Sequence, residues 1–274
     1  MEKIFELRGD DTDWSGGLMA SLHDLRASWQ QDWIGLPAVL RACQQALGIA
    51  GHEDVRIQAL NLLAAHIATG SERQRQGQPA YHNNRHTADV LVSMTVLSGI
   101  QMQLQPSVGV DTQWLAAVLT AAAGHDYAHP GGTNQFPADL ESLSVKRIKA
   151  EVDSSVLNAV DPVDLARVAQ LILNTEPRLV PANHSAVAQT DFGWGLPWCS
   201  VLMNEADILA SATSAFGPDL TQFLINEWGS VGVQGSRAID PRSFRQEFLK
   251  AIQFSSPAAI FLGLPEQVQQ QLNS

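Results

Sequence analysis

Four of the eight histidines fall into two pairs, His82 with His86 and His125 with His129, and each pair has the spacing of one helical turn. Asp126 follows directly on His125, and another aspartate, Asp207, sits in a helical stretch that is otherwise apolar and continues into Ile208 and Leu209. Imidazole and carboxylate are natural donors to Zn²⁺, Fe²⁺ and Mn²⁺, and a catalytic centre leaves coordination positions open for water. Two ions sharing a carboxylate can lower the pKa of the water between them, clamp a phosphate and offset the charge of an in-line displacement. One more histidine, outside the ligand set, can then protonate the departing alkoxide. The order His…His-Asp…Asp therefore points to metal-assisted phosphoester chemistry.

The other histidines, His23, His52, His66 and His184, read as structural or surface side chains. His52-Glu53 does not open a zincin helix, because Arg56 stands where the second histidine is required. Neither a Walker loop nor a Gly-x-Ser-x-Gly elbow is present.

The elements that must position these groups are helical by period. Helices are expected at 37–49, 53–69, 84–104, 112–124, 163–173, 197–215, 218–229, 240–254 and 265–272. Pro37 stands near the start of the first, and Asp161 caps the fifth. Arg178 to Val180 is the single faint strand candidate. Loops are expected at 70–80, 105–111, 130–138, 176–195 and 229–239. The fold class is all-α, with residues 1–35, which carry Trp14, Trp29 and Trp33, as a partly helical arm on a body spanning 36–274.

Composition supports a substantial core, since 45% of residues are hydrophobic and only 16% are charged. With 17 Lys plus Arg against 28 Asp plus Glu, the net charge of −11 excludes a nucleic-acid polymer as partner. Cys43 and Cys199 make no disulfide framework, which predicts a reducing, cytoplasmic setting. The acidic stretch from Met1 to Trp14 is no signal peptide, and the apolar run from Trp114 to Ala123 is too short to cross a bilayer, so no membrane partner is expected. Nothing in the sequence sets an oligomeric state.

Tyr81-His82-Asn83-x-x-His86-x-Ala88-Asp89-Val90 resembles the signature of class I cyclic-nucleotide phosphodiesterase catalytic domains. His125-Asp126-x-x-His129-Pro130-Gly131-x-x-Asn134-x-Phe136 is similar to the second signature of that family. Leu171 to Glu176 and Glu205 to Ile208 resemble two further segments, all in the family's order over roughly residues 60–255. The resemblance implies a compact helical HD-superfamily bundle with a binuclear centre, usually Zn²⁺ (or Fe²⁺ or Mn²⁺) with Mg²⁺ or Mn²⁺ beside it. His86, His125, Asp126 and Asp207 would ligate the first ion, and Asp126 would bridge to the second. His82 would be the general acid toward O3′, and His129 would orient water on the second ion. Tyr81 and Asn83 would face substrate, with Asp89 as a supporting residue and Glu227 as a partner for His82. The implied activity is hydrolysis of cyclic AMP or cyclic GMP to the 5′-monophosphate by a metal-bridging hydroxide.

Two departures from the family pattern matter. Asn158 follows Ser155-Val156-Leu157 where a water-holding Glu is usual, so Glu151 or Glu141 is expected to supply that carboxylate. The base-binding Gln and Phe fall on Ser243-Phe244-Arg245-Gln246-Glu247-Phe248, where Phe248 keeps its place, Arg245 takes the Gln position and Gln246 is one residue off. That altered clamp leaves room for two alternatives. One is another HD-superfamily phosphohydrolase acting on a linear nucleotide or other phosphoester; the other is a non-catalytic nucleotide-binding domain.

Overall fold

The computed structural model describes residues 26–29 and 31–273. Most of the arm expected over residues 1–35, including Trp14 and His23, lies outside the described residues.

The helices are α1 (Leu36–Ala46), α2 (Val55–Arg73), α3 (Asn84–Leu104), α4 (Thr112–Gly124), α5 (Asp139–Glu151), α6 (Ser154–Ala159) and α7 (Pro162–Leu173). They continue as α8 (Val180–Val187), α9 (Leu196–Ala212), α10 (Gly217–Ser230), α11 (Pro241–Ala251), α12 (Pro257–Phe261) and α13 (Leu264–Leu272). No strand occurs among the described residues.

The centre of the bundle is α3, which is buried on all sides from His86 to Gln101. A helix apolar all round has no solvent face and must be enclosed. Here α1, α4, α9 and α12 enclose it, while α2 backs α4 and α7 covers the far side of α4. Inside α3, Thr95 Oγ1 donates to the Leu91 carbonyl one turn back at 2.8 Å. A small second core gathers Ala212, Leu249 and Val268, with Phe248, Ile252, Phe254 and Leu272 packed against them.

Local signals explain most helix starts. Asp161 accepts from Val163 N at 2.8 Å with Pro162 behind it, Asp111 accepts from Gln113 N and Trp114 N, and Asp54 accepts from Arg56 N. The structure corrects the reading elsewhere. The faint strand at Arg178 to Val180 is a turn running into α8, so the loop expected over 176–195 contains a helix. Helices α5, α6 and α12 went unanticipated. The first has a weakly apolar sequence with only Ser144 and Ile148 buried, and the other two are short. Pro106–Val108 forms a 3₁₀ turn inside the loop expected at 105–111.

Candidate active site

The four expected donors come from three helices. His86 stands in the first turn of α3, which Asn83 caps by accepting from Arg85 N at 2.9 Å and His86 N at 3.3 Å. His125 and Asp126 follow the end of α4, and Asp207 stands in the last turns of α9. These elements bring His86 Nε2 to 3.3 Å from Asp126 Oδ2 and 3.0 Å from Asp207 Oδ1. His125 Nε2 lies 3.1 Å from Asp126 Oδ2, 3.5 Å from Asp207 Oδ1 and 3.2 Å from His86 Nε2. Donors held about 2.1 Å from one ion stand roughly 3.0–3.4 Å from each other. His86, His125 and Asp126 are therefore spaced to share a divalent cation, with Asp207 approaching both imidazoles from α9, and two imidazole nitrogens have little other reason to face one another.

The surroundings favour that occupant. His125 Nδ1 is 2.9 Å from the Ala122 carbonyl, a bond that requires Nδ1–H and leaves Nε2 as the free lone pair. Both imidazoles are buried, which opposes their charged forms. Hydrogen bonds and charge from Asp126 and Asp207 nonetheless raise His86 to about 9 and His125 well above its ordinary value. The two carboxylates are held below the usual range by the same contacts, against their own burial. A pocket that draws protons onto two buried imidazoles is a pocket of strong negative potential, suited to a cation.

His82 lies beside this cluster in a loop clamped by α10. The Glu227 carboxylate, fully buried on α10, accepts from His82 Nδ1 at 2.5 Å and from the backbone N–H groups of Tyr81 and His82 at 2.8 and 2.9 Å. Hydrogen bonding to His82 keeps Glu227 below its ordinary pKa despite burial, so the carboxylate is the acceptor and His82 Nδ1 the donor. Nε2 of His82 is then free. The expected partnership of Glu227 with His82 is thus present in the geometry.

The His129 ring stacks on His82 with centroids 3.9 Å apart. Burial lowers His129 to about 4, so it is neutral, and its Nδ1 accepts from Gly131 N at 3.0 Å, which leaves the proton on Nε2. The loop carrying it is tightly constrained. Ala128 has φ 56°, a left-handed conformation that costs an alanine about 1 kcal/mol. Gly131 has φ 82°, and a Cβ there would meet Val231 Cγ1 at 3.1 Å and Glu227 Cγ at 3.4 Å.

A cavity of about 360 Å³ opens over this cluster. It is lined by Tyr81, His82, Asp126, His129 and Asp207, by Asn134, Glu141 and Glu176, and by Ile208, Leu224 and Trp228. Asn134 Nδ2 donates to Glu141 at 3.0 and 3.1 Å and to Glu176 Oε2 at 2.6 Å. Of the two expected stand-ins for the missing carboxylate, Glu141 lines the cavity, and burial raises its pKa. Glu151 is exposed and bonded to Gln74. Asn158 itself is exposed on α6.

Other expected site residues have different surroundings. Asn83 caps α3, and its amide donates to the Pro79 and Ala80 carbonyls. Tyr81 lays its ring 4.7 Å from that of His86 and bonds through its hydroxyl to Ser211. Asp89, buried on α3, takes both its bonds from Arg26, at 2.6 and 2.7 Å, and touches no member of the cluster. Gln246 and Phe248 do not reach the cavity: Gln246 is exposed on α11, and Phe248 packs into the second core. Arg245 ties the end of α9 to α13 through the Ser211 and Thr213 carbonyls and Gln271.

The sequence reading missed the network that shapes the His82 loop. Buried Asn84 accepts from Ser71 Oγ and Gln78 Nε2 and donates to Glu72, which also accepts from Trp33 Nε1 and Leu36 N. Only the Asn84 position, next to the cap, hinted at it. Trp228 and Leu224 were also missed, although their i, i+4 spacing around Glu227 marks one helix face.

Residues 81–162 match the sequence model of the family described as 3'5'-cyclic nucleotide phosphodiesterase. The mouse protein named 3',5'-cyclic-AMP phosphodiesterase 4C (Mus musculus) is 44% identical over 63 residues. Over these residues the chain is similar to cyclic-nucleotide phosphodiesterases. The match takes in 23% of this chain and 9% of the mouse relative's length. Within the matched segment, residues 81–162, lie His82, His86, His125, Asp126, His129 and Glu141. Glu176, Asp207 and Glu227 come from beyond it, so the fold completes the cluster that the segment begins.

Proposed function

We propose that this protein hydrolyses a 3′,5′-cyclic nucleotide to the 5′-monophosphate. The observation that carries this reading is that His86 and His125 each lie 3.0–3.5 Å from both Asp126 and Asp207, beside a His82–Glu227 pair, next to a cavity lined by His82, Asp126, His129 and Asp207. Divalent ions held there, Zn²⁺ in the enclosed position and Mg²⁺ or Mn²⁺ beside it, would neutralise phosphate charge and supply an ionised water near neutral pH.

The chain's own groups account for the remaining chemistry. His82, with Nδ1–H held by Glu227, presents Nε2 to the cavity and gives its proton to O3′ as the P–O3′ bond breaks. Neutral His129 offers its Nε2–H to a water or phosphate oxygen. Asp126 is grouped both with His86 and His125 and with His82 and His129, which suits a carboxylate shared between two positions. Glu141, aimed into the same cavity and steadied by Asn134, is the acid suited to hold water at the second position. Tyr81 lines the same cavity.

A second reading, hydrolysis of a linear nucleotide or another phosphoester, is favoured by one observation: Gln246 and Phe248 lie away from the cavity. Metal analysis of the purified protein, with product identification after incubation with cyclic AMP, cyclic GMP and linear nucleotides plus Mg²⁺ or Mn²⁺, separates the two. Conversion of a cyclic nucleotide to its 5′-monophosphate supports the first; phosphate release from linear substrates alone overturns it.

A further inference from the structure

The α11 residues that the family pattern assigns to the nucleobase are committed elsewhere. Phe248 fills the second core, Gln246 faces solvent and Arg245 caps α9. A purine needs an apolar face to leave water, and the cavity supplies one from a different helix. Leu224 and Trp228 are one turn apart on α10 and share a face, with Glu227 between them in the turn. Ile208, directly after Asp207 on α9, lines the same cavity. Trp228 is the only aromatic side chain besides Tyr81 and the two histidines to line this cavity among the described residues. Its ring is braced rather than loose: Phe244 of α11 meets it edge-on, with centroids 5.3 Å apart at 85°. Its Nε1 finds no hydrogen-bond partner among the described residues. A rigid indole in an open cavity, one residue from the carboxylate that orients His82, is positioned as a stacking platform.

Resting on the cyclic-nucleotide reading above, we infer that Trp228 is the base-stacking residue of this site, with Phe244 as its positioning residue and Phe248 excluded from that role. The substrate class is thereby narrowed to phosphodiesters carrying an aromatic base. Alanine replacement of a stacking aromatic removes one base–ring contact, which raises KM by roughly tenfold or more. Because the indole does not touch the breaking bond, kcat moves far less.

The test is steady-state kinetics of wild type, Trp228→Ala, Trp228→Phe and Phe248→Leu on cyclic AMP and cyclic GMP, with thermal unfolding of each. KM raised in Trp228→Ala, largely restored in Trp228→Phe and unchanged in Phe248→Leu supports the inference. Unchanged KM in Trp228→Ala overturns it. So does a loss of kcat in both Trp228 variants with KM unmoved, which is the mark of a packing role. If Trp228→Ala fails to fold, Trp228→Leu takes its place, with the same rise in KM expected and an unchanged KM again overturning the inference. If the wild-type protein converts neither cyclic nucleotide, it is the underlying functional reading that has failed, an outcome distinct from wild-type turnover with an indifferent Trp228.

Discussion

His82 and His129 show how one residue type takes two roles from its hydrogen bonds alone. The carboxylate of Glu227 accepts from His82 Nδ1, whereas the backbone N–H of Gly131 donates to His129 Nδ1. The first ring is held by an anion and suited to carry a proton; the second is kept neutral by burial and suited to donate a hydrogen bond. Replacing His82 by Asn should lower kcat by about 10²–10⁴-fold while bound metal, measured by elemental analysis, stays as in wild type. Undiminished turnover would remove His82 from the proposed acid role. His86 and His125, two residue numbers that the spacing singled out, are met by Asp207 from a distant helix. That meeting could be suspected from residue type, and Glu227 from its place on the helix after Asp207, but Trp228 had no comparable signal, because a cavity-lining indole and a core indole look alike in sequence.

At the level of elements, α9 owes its placement to a buried acid that the chemistry does not use. Glu205 Oε1 accepts from the Ser255 and Ser256 N–H groups at 2.6 and 2.8 Å, and Oε2 from Ser256 Oγ at 2.5 Å, so it joins α9 to the start of α12. Glu205→Leu leaves those buried donors unpaired and should cost roughly 3 kcal/mol in urea unfolding. A variant as stable as wild type would show the junction to be idle. The same junction includes His184 on α8, whose Nδ1 lies 2.6 Å from Ser255 Oγ. Burial lowers the His184 pKa, so the unfolded chain takes up that proton first as pH falls. Stability is complete above the ordinary histidine value of about 6.5 and declines below it. Thermal unfolding from pH 7 to 5 should therefore fall more steeply in wild type than in His184→Gln, and equal slopes would contradict this. The helix start at Asp161 was legible because capping is local chemistry. Helices α5, α6 and α12 were not, because the first has little apolar face and the other two are too short for a period to show.

Across the whole molecule, the proposed metal ligands would tie together α3, the end of α4 and α9, which are the helices that form the centre of the bundle. An ion bound only by the folded state stabilises it by mass action, about 4 kcal/mol at a thousandfold excess over Kd. Chelation should thus lower Tm by roughly 10 °C for a domain of this size and abolish turnover, with both restored by divalent metal. Asp207→Asn should lack most of the chelator-dependent shift, and a Tm indifferent to chelator in wild type would argue against a bound ion. No helix among the described residues is long and apolar enough to cross a membrane, in keeping with the short apolar run from Trp114 to Ala123. The acidic balance of −11 fits a site that concentrates its positive charge in bound ions rather than in side chains.

What the amino-acid order determined by itself was local: an all-helical chain, caps that start its helices, and the His and Asp motifs that mark the donors. These follow from backbone hydrogen bonding and periodicity over a few residues, which any stretch of chain expresses on its own. Tertiary structure alone decided that Glu141 rather than Glu151 reaches the cavity, and that Phe248 turns into a second core while Trp228 lines the site. Those outcomes depend on how helices far apart in sequence pack against each other, and packing is set by the shape and burial of every neighbour at once.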